Sequence, residues 1–220
     1  MSDKRTIRIT GSGNLCLRPD TTRITMTLEG QDREYAGAVA LSAADTEKLK
    51  IALAALGFQR EEVKTIRFDV DTEYESYQED GAYRRRFTGY SYSHVLYVEF
   101  PSDRERLGRV LHVLESCEAR PEFRISYTVR DGEGAKNALL EKAVADAAEK
   151  ARVLTRAAGV KLGEVLSIDY SWARLDLEVM PVTGVAAGAC MKSAINNLDL
   201  DVEPDDIRLS DTVTVLWTIG

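Results

Sequence analysis

The sequence predicts a mixed helix-and-strand protein of ten elements in the order β-β-α-β-β-α-β-α-β-β, and three stretches establish it. From Val63 to Glu75 apolar and charged residues alternate with a period of two, and a second strand-like run, Tyr83 to Phe100, follows across the turn signal Asp80-Gly81. Ala135 to Ala158 has helical spacing instead, and 24 residues of helix reach about 36 Å, enough to span a sheet. The chain closes on Val213, Val215, Trp217 and Ile219 alternating with Thr212, Thr214 and Thr218, a final strand.

In order from the N-terminus, Thr6 to Thr10 alternates around Ile7 and Ile9 as a short strand. Gly11-Ser12-Gly13-Asn14 then reads as a tight bend. A nucleotide loop would need a third Gly and a helix opening after it, and neither follows. After a Pro19-Asp20 turn, Ile24, Met26 and Leu28 share one face of a second strand. Asp32 is placed to cap a helix from about Arg33 to Leu56, whose apolar face is Leu49, Leu53 and Leu56 and which Gly57 ends. Ser42, Asp45 and Thr46 are weak helix formers in its middle and leave room for a local bend.

In the hairpin, Ile66, Phe68, Val70, Thr72 and Tyr74 line one face and Arg67, Asp69, Asp71, Glu73 and Glu75 the other. Folding about Asp80-Gly81 brings Glu75 opposite or near Arg86 and Glu73 near Thr88, so an acidic row lies close to Arg84-Arg85-Arg86. A charged binding ribbon is one reading. A solvated hairpin held in register by ion pairs outweighs it, because such exposed pairs are common and each is worth at most about 1 kcal/mol. Tyr74, Tyr77, Tyr83, Phe87, Tyr90 and Tyr92 could stack on a ligand, but such rings more often pack across strands.

Ser102 to Glu105 is a capping box, so a helix starts after Pro101 and turns Leu107, Val110, Leu111 and Leu114 inward. Phe123, Ile125, Tyr127 and Val129 make the next strand. The long helix that follows is capped by Asp131 and ended by Gly159. Its expected buried stripe is Leu140, Val144, Ala147, Ala151, Leu154 and Ala158, with Lys142, Asp146, Glu149 and Arg156 opposite. Val165, Leu166 and Ile168 belong to a strand reaching Tyr170. Glu178 to Asn197 keeps neither period and is long for a connection, which is the pattern of lids, interface arms or disorder.

Composition narrows the classes. A charge of −7 with no basic face to offset it argues against a nucleic-acid partner. Cys16, Cys117 and Cys190 are scattered, giving neither a disulfide framework nor zinc spacing. The N-terminal MSDKRTIRIT goes straight into strand alternation without an export-type apolar segment, and Val182 to Met191 is too short and Gly-rich to span a bilayer, so the cytoplasm is expected. No catalytic, cofactor-binding or metal-ligating residue is predicted. His94 and His112 lack a Cys, Asp or Glu at ligand spacing. Asp69 and Asp71 share a strand face and could hold a cation, though a wet charged face is the commoner reason for such a pair.

The blocks ITGSGNLCLRPD, LGFQREEVKTIRFDV, FTGYSYSHVLYVEF, AGVKLGEVLSI and DIRLSDTVTVLWTI, in that order, resemble successive blocks of the SIMPL domain family. The resemblance covers nearly the whole chain and defines a fold rather than a site. It implies an α+β protein of two-layer sandwiches, antiparallel sheets covered by three main helices. It also implies a single domain over 1–220 with two interlocked subdomains, about 1–80 plus part of 160–220 and about 83–160 plus the remainder. Relatives are mostly exported proteins of the bacterial envelope, some linked to oxidative stress and some oligomeric, and a eukaryotic relative binds a signalling kinase. No catalytic residues are established for the family, so none transfer to this chain. The missing export signal departs from the family pattern.

Three function classes follow. A non-enzymatic oligomeric scaffold is favoured, with 178–197 and the hairpin as interfaces. A small-molecule binder with a tyrosine-lined pocket between helix and sheet comes next. An enzyme comes last, because GxSxG, P-loop and HExxH patterns and any Cys–His neighbourhood are all missing.

Overall fold

The structure, a computed structural model, describes residues 5–79, 82–170, 177–180 and 204–220. Its elements are β1 (Thr6–Leu17), β2 (Thr21–Asp32), α1 (Tyr35–Ala54), β3 (Lys64–Glu79), β4 (Ala82–Pro101), α2 (Arg104–Glu115), β5 (Glu122–Thr128), α3 (Gly132–Ala157), β6 (Leu162–Asp169) and β7 (Ile207–Ile219). The order is the one read from the sequence, and two sheets with three helices make the fold α+β. The expected turn at Asp80-Gly81 and residues 181–197 of the loosely patterned segment lie outside the described residues.

Two compact units divide the chain. One comprises Met1–Pro19, Thr128–Val179 and Asp205–Gly220, the other Asp20–Tyr127 and Met180–Pro204. These boundaries differ from the division expected near residues 80 and 160. The physical reason is pairing: β3 and β4 are hydrogen-bonded from Lys64 to Glu79, so a cut at the hairpin tip would split a sheet, whereas β1 finds its partner at the far end of the chain in β7.

The first unit has the sheet order β1-β7-β6. β1 runs antiparallel to β7 from Thr6↔Thr218 to Leu17↔Ile207, so Gly11-Ser12-Gly13-Asn14 is strand, not the expected bend. The glycines serve close approach instead. A Cβ on Gly11 would fall on the carbonyl oxygen of Ala143 and 2.7 Å from the Cβ of Ala147. One on Gly13 would fall on the carbonyl oxygen of Leu139 and 3.1 Å from the amide nitrogen of Ala143.

This contact corrects the expected face of α3. The buried row is Ala135, Leu139, Ala143, Ala147, Ala151 and Thr155, a strict step of four. Val144 and Leu154 are exposed, as is Ala158, and Leu140 is only partly buried. Ala147 and Ala151 are inside as expected; strand backbone against helix backbone selects small residues, and a strict step of four, rather than alternating steps of four and three, follows the contact. Thr155 is tolerated inside because its hydroxyl donates to the Ala151 carbonyl at 2.8 Å. The row packs on Ile207, Leu209, Val213, Val215 and Trp217 of β7.

The neighbouring row of α3 closes the free edge of β1. Asp146 Oδ2 accepts the Ser12 amide hydrogen at 2.7 Å, while Lys142 Nζ and Lys150 Nζ donate to the carbonyls of Asn14 (3.4 Å) and Thr10 (3.5 Å). The Lys150 ammonium first, and the Ser12 amide second, hold the Asp146 carboxyl below its ordinary pKa.

The second unit has the order β3-β4-β2-β5. Ile24, Met26 and Leu28 of β2 and Leu96, Val98 and Phe100 of β4 form its buried face. α1 is helical without interruption for 20 residues from Tyr35, two residues later than expected. Glu34 is its N-cap, and Asp32 accepts the Glu34 amide at 2.8 Å. The anticipated bend is absent because its polar middle is bonded to the sheet: Asp45 accepts from Tyr92, and Thr46 pairs with His94. α2 buries Leu107, Val110, Leu111 and Leu114 as expected, but its cap is Asp103 rather than Ser102, accepting the Arg106 amide at 3.0 Å.

Candidate functional site

β4 pairs with β2 only from Pro101 to Tyr90, yet continues with β3 to Ala82. Residues 73–79 and 82–89 therefore leave the four-stranded sheet as a two-stranded arm. The expected registration holds: Glu75 lies opposite Arg86, with Arg86 Nη2 donating to Glu75 Oε2 at 2.8 Å, and Glu73 falls opposite Gly89, next to Thr88.

A bulge sets the phase of the arm. The register shifts between Glu73 and Tyr74, across from Gly89. Gly89 has φ 150°, and a Cβ there would strike the Asp32 carbonyl and approach the Arg33 Cα at 3.1 Å. Without the extra residue Phe87 and Tyr90, three positions apart, would point to opposite faces. With it their rings meet edge-to-face at 5.3 Å. The chain of edge-to-face contacts continues to Tyr74 (5.7 Å from Phe87) and to Tyr35 at the start of α1 (5.7 Å from Tyr90).

The two faces of the arm differ in chemistry. One presents Tyr74, Ser76, Gln78, Tyr83, Arg85 and Phe87, with the Arg85 guanidinium 4.8 Å from the Tyr74 ring centre. The other presents Glu75, Tyr77, Arg84 and Arg86, with Arg86 6.0 Å from the Tyr77 ring. Isolated glycine within a strand pattern is the sequence signal for such a bulge, and Gly89 in FTGY is that signal here.

The remaining candidates are spread over the fold. Tyr92 is buried beneath α1 and donates to Asp45 at 2.7 Å; burial first, then that carboxylate, raises its pKa. His94 is bonded on both ring nitrogens, to Thr46 Oγ1 at 3.0 Å and Thr65 Oγ1 at 2.9 Å, with Phe68 edge-on at 5.2 Å. Burial, and secondarily Lys50, lowers its pKa and favours the neutral ring. His112 lies exposed on α2. Arg67 Nε approaches Asp69 Oδ2 at 2.7 Å, so that carboxylate is ion-paired.

Cys16 is exposed, hydrogen-bonded to Asp206 at 3.4 Å, and this bond raises its pKa; Cys117 is buried; both are free thiols. Cys190 lies outside the described residues. Among the described residues no group of three or more His, Cys, Asp or Glu gathers to hold a metal, and no helix is long and apolar enough to cross a membrane. A cavity of about 190 Å³ opens at the base of the arm, lined by Gln31, Asp32, Arg33, Glu73, Thr88, Gly89 and Tyr90.

Architecture and surface together define an α+β protein with two sheet units, one of which extends an aromatic-faced arm. The chain belongs to the SIMPL family, described as "Protein of unknown function (DUF541)", whose pattern it matches over residues 7–217. No curated protein matches it. Two solved structures are weakly similar. CutA from Synechococcus elongatus is 16% identical over 58% of this chain and 95% of its own, with a TM-score of 0.21. The regulatory subunit of aspartate kinase from Thermus flavus is 9% identical over 96% of this chain and 90% of its own, with a TM-score of 0.18. Likeness at that level bears on neither fold nor function.

Proposed function

We propose that the protein is a non-enzymatic interaction protein that assembles with copies of itself. The observation that carries this reading is where its large apolar side chains remain in solvent. In one unit Val165, Leu166 and Ile168 of β6 and Val153 and Leu154 of α3 are exposed; in the other, Tyr74, Tyr83 and Phe87 of the arm are. Exposed apolar side chains gathered in contact, as Tyr74 and Phe87 are, mark contact surfaces, whereas scattered ones need no explanation.

The non-enzymatic part rests on how polar groups are used. Tyr92 is engaged by Asp45, His94 by Thr46 and Thr65, and Asp146 by Ser12, each bond tying a helix to a strand or a strand to its neighbour. A small-molecule reading has less support. The cavity at the arm base is smaller than the roughly 300 Å³ at which ligand pockets begin, and the arm tyrosines stack on one another along an open face.

Sedimentation velocity over a wide concentration range tests the proposal. Species at multiples of the 24.4 kDa chain mass are expected. A single 24.4 kDa species throughout overturns it.

A further inference from the structure

We infer that self-association runs through the aromatic face of the arm, Tyr35, Tyr74, Tyr83 and Phe87, docked on the same face of a second copy. The inference rests on the self-association reading above and names the surface and the partner. α1 covers the apolar side of the sheet only as far as Tyr35. Past that point the same side continues as Tyr90, Phe87 and Tyr74, with no helix above it among the described residues. The core-facing side of this sheet thus extends beyond its own lid, and the bulge at Gly89 is what keeps Phe87 in phase with it.

The area fits a pair of copies. Tyr83 is 84% exposed, Tyr35 57%, Tyr74 46% and Phe87 44%. At about 200 Å² for a whole ring side chain, these four leave roughly 450 Å² in solvent per copy. Two copies would remove about 900 Å² from the rings alone, and Ser76, Gln78 and Arg85 on the same face bring the total to the roughly 1,200 Å² at which specific interfaces begin.

Charge points to the same face. The chain carries −7, so two copies repel unless they meet where carboxylates are missing. Between Tyr74 and Phe87, the cross-strand pairs Tyr74↔Phe87, Ser76↔Arg85 and Gln78↔Tyr83 carry one charge, Arg85, which already lies over a ring. Glu75 belongs to the other face. A patch that meets itself about a two-fold axis needs no second complementary surface on the molecule.

The test compares the full-length protein with Tyr83→Ser/Phe87→Ser on the ring face and with Tyr77→Ser on the opposite face, by sedimentation, with circular dichroism to confirm the fold. The double variant is expected to raise the dissociation constant at least tenfold, and Tyr77→Ser to leave it within twofold. If the double variant misfolds, Tyr83→Ser alone, at the most exposed ring, is expected to raise it at least threefold. Association of the parent that survives the ring-face variants, or that falls equally with Tyr77→Ser, overturns the assignment and leaves self-association standing. A parent that is monomeric at every concentration overturns both.

Discussion

Gly11→Ala tests the closest backbone approach in the first unit. The added methyl meets the Ala143 carbonyl oxygen, the Ala147 amide nitrogen and the Ala147 methyl, so no side-chain rotation makes room. Restoring ordinary contact from the 2.7 Å separation to Ala147 Cβ requires α3 to retreat by about 1 Å, and the closer Ala143 carbonyl oxygen makes that a minimum. A gap of that size forfeits at least a quarter to a half of each dispersion contact it opens. The loss falls along a row that is almost wholly buried, from Leu139 through Ala151. Overpacking of this kind costs about 1–3 kcal/mol, and a backbone obstacle places it near 3. The more restricted unfolded chain of the Ala variant offsets about 0.5 kcal/mol, leaving about 2.5. In urea unfolding followed by circular dichroism, that shifts the midpoint down by about 1 M or more. Asn14→Ala, exposed on the same strand, should move the stability by less than about 0.5 kcal/mol. A Gly11→Ala protein as stable as the Asn14→Ala control would refute the close approach of β1 and α3.

Two further outcomes are expected. Ala147→Leu should cost about 1–3 kcal/mol in the same assay, whereas Leu154→Ser should stay within about 0.5, and the reverse ranking would put Leu154 back inside. For His94, whose pKa in the fold lies below the ordinary 6.5, the unfolded chain takes up the proton first, so its contribution is full above pH 6.5 and is lost as pH falls toward the folded value; urea unfolding at pH 7.5 and 5.5 should show a smaller drop for His94→Gln than for the parent, and equal drops would contradict the assignment.

Local patterns carried the element order because each element's own residues encode its period. The α2 leucines, the β7 alternation and the Glu75–Arg86 registration needed nothing from elsewhere in the chain. What failed needed a partner. The inward face of α3 is decided by Gly11 and Gly13, more than 120 positions earlier, and helical spacing alone put Ala147 and Ala151 inside but added Leu154 and left Thr155 out. The unit boundaries depend on β1 pairing with β7, which local periodicity cannot express. The surface proposed here was half visible: the rings of Tyr74, Tyr83 and Phe87 stood out in the sequence, but the strict alternation assumed for the hairpin could not show that one bulged glycine gathers Tyr90 onto their face.

The sheet edges favour a face, rather than a strand edge, for the self-association proposed above. Each of the four strands at the margin of a sheet is blunted by a different device. β1 has its free backbone groups bonded by Lys142, Asp146 and Lys150. β6 is interrupted by two register shifts within its eight residues. β5 is short, at seven residues. β3 is long, but it presents Asp69, Asp71, Glu73 and Glu75, and pairing it with its counterpart in another copy would bring carboxylates together across the new ladder. Edge-to-edge growth, which leads to open-ended assembly, is therefore opposed at each of these four strands. The rings of the arm lie on a face of their own sheet rather than along its edge, and a contact made through them about a two-fold axis uses up the same patch on both copies. Association by that route stops at a closed pair, unless the exposed residues of β6 and α3 supply a second contact.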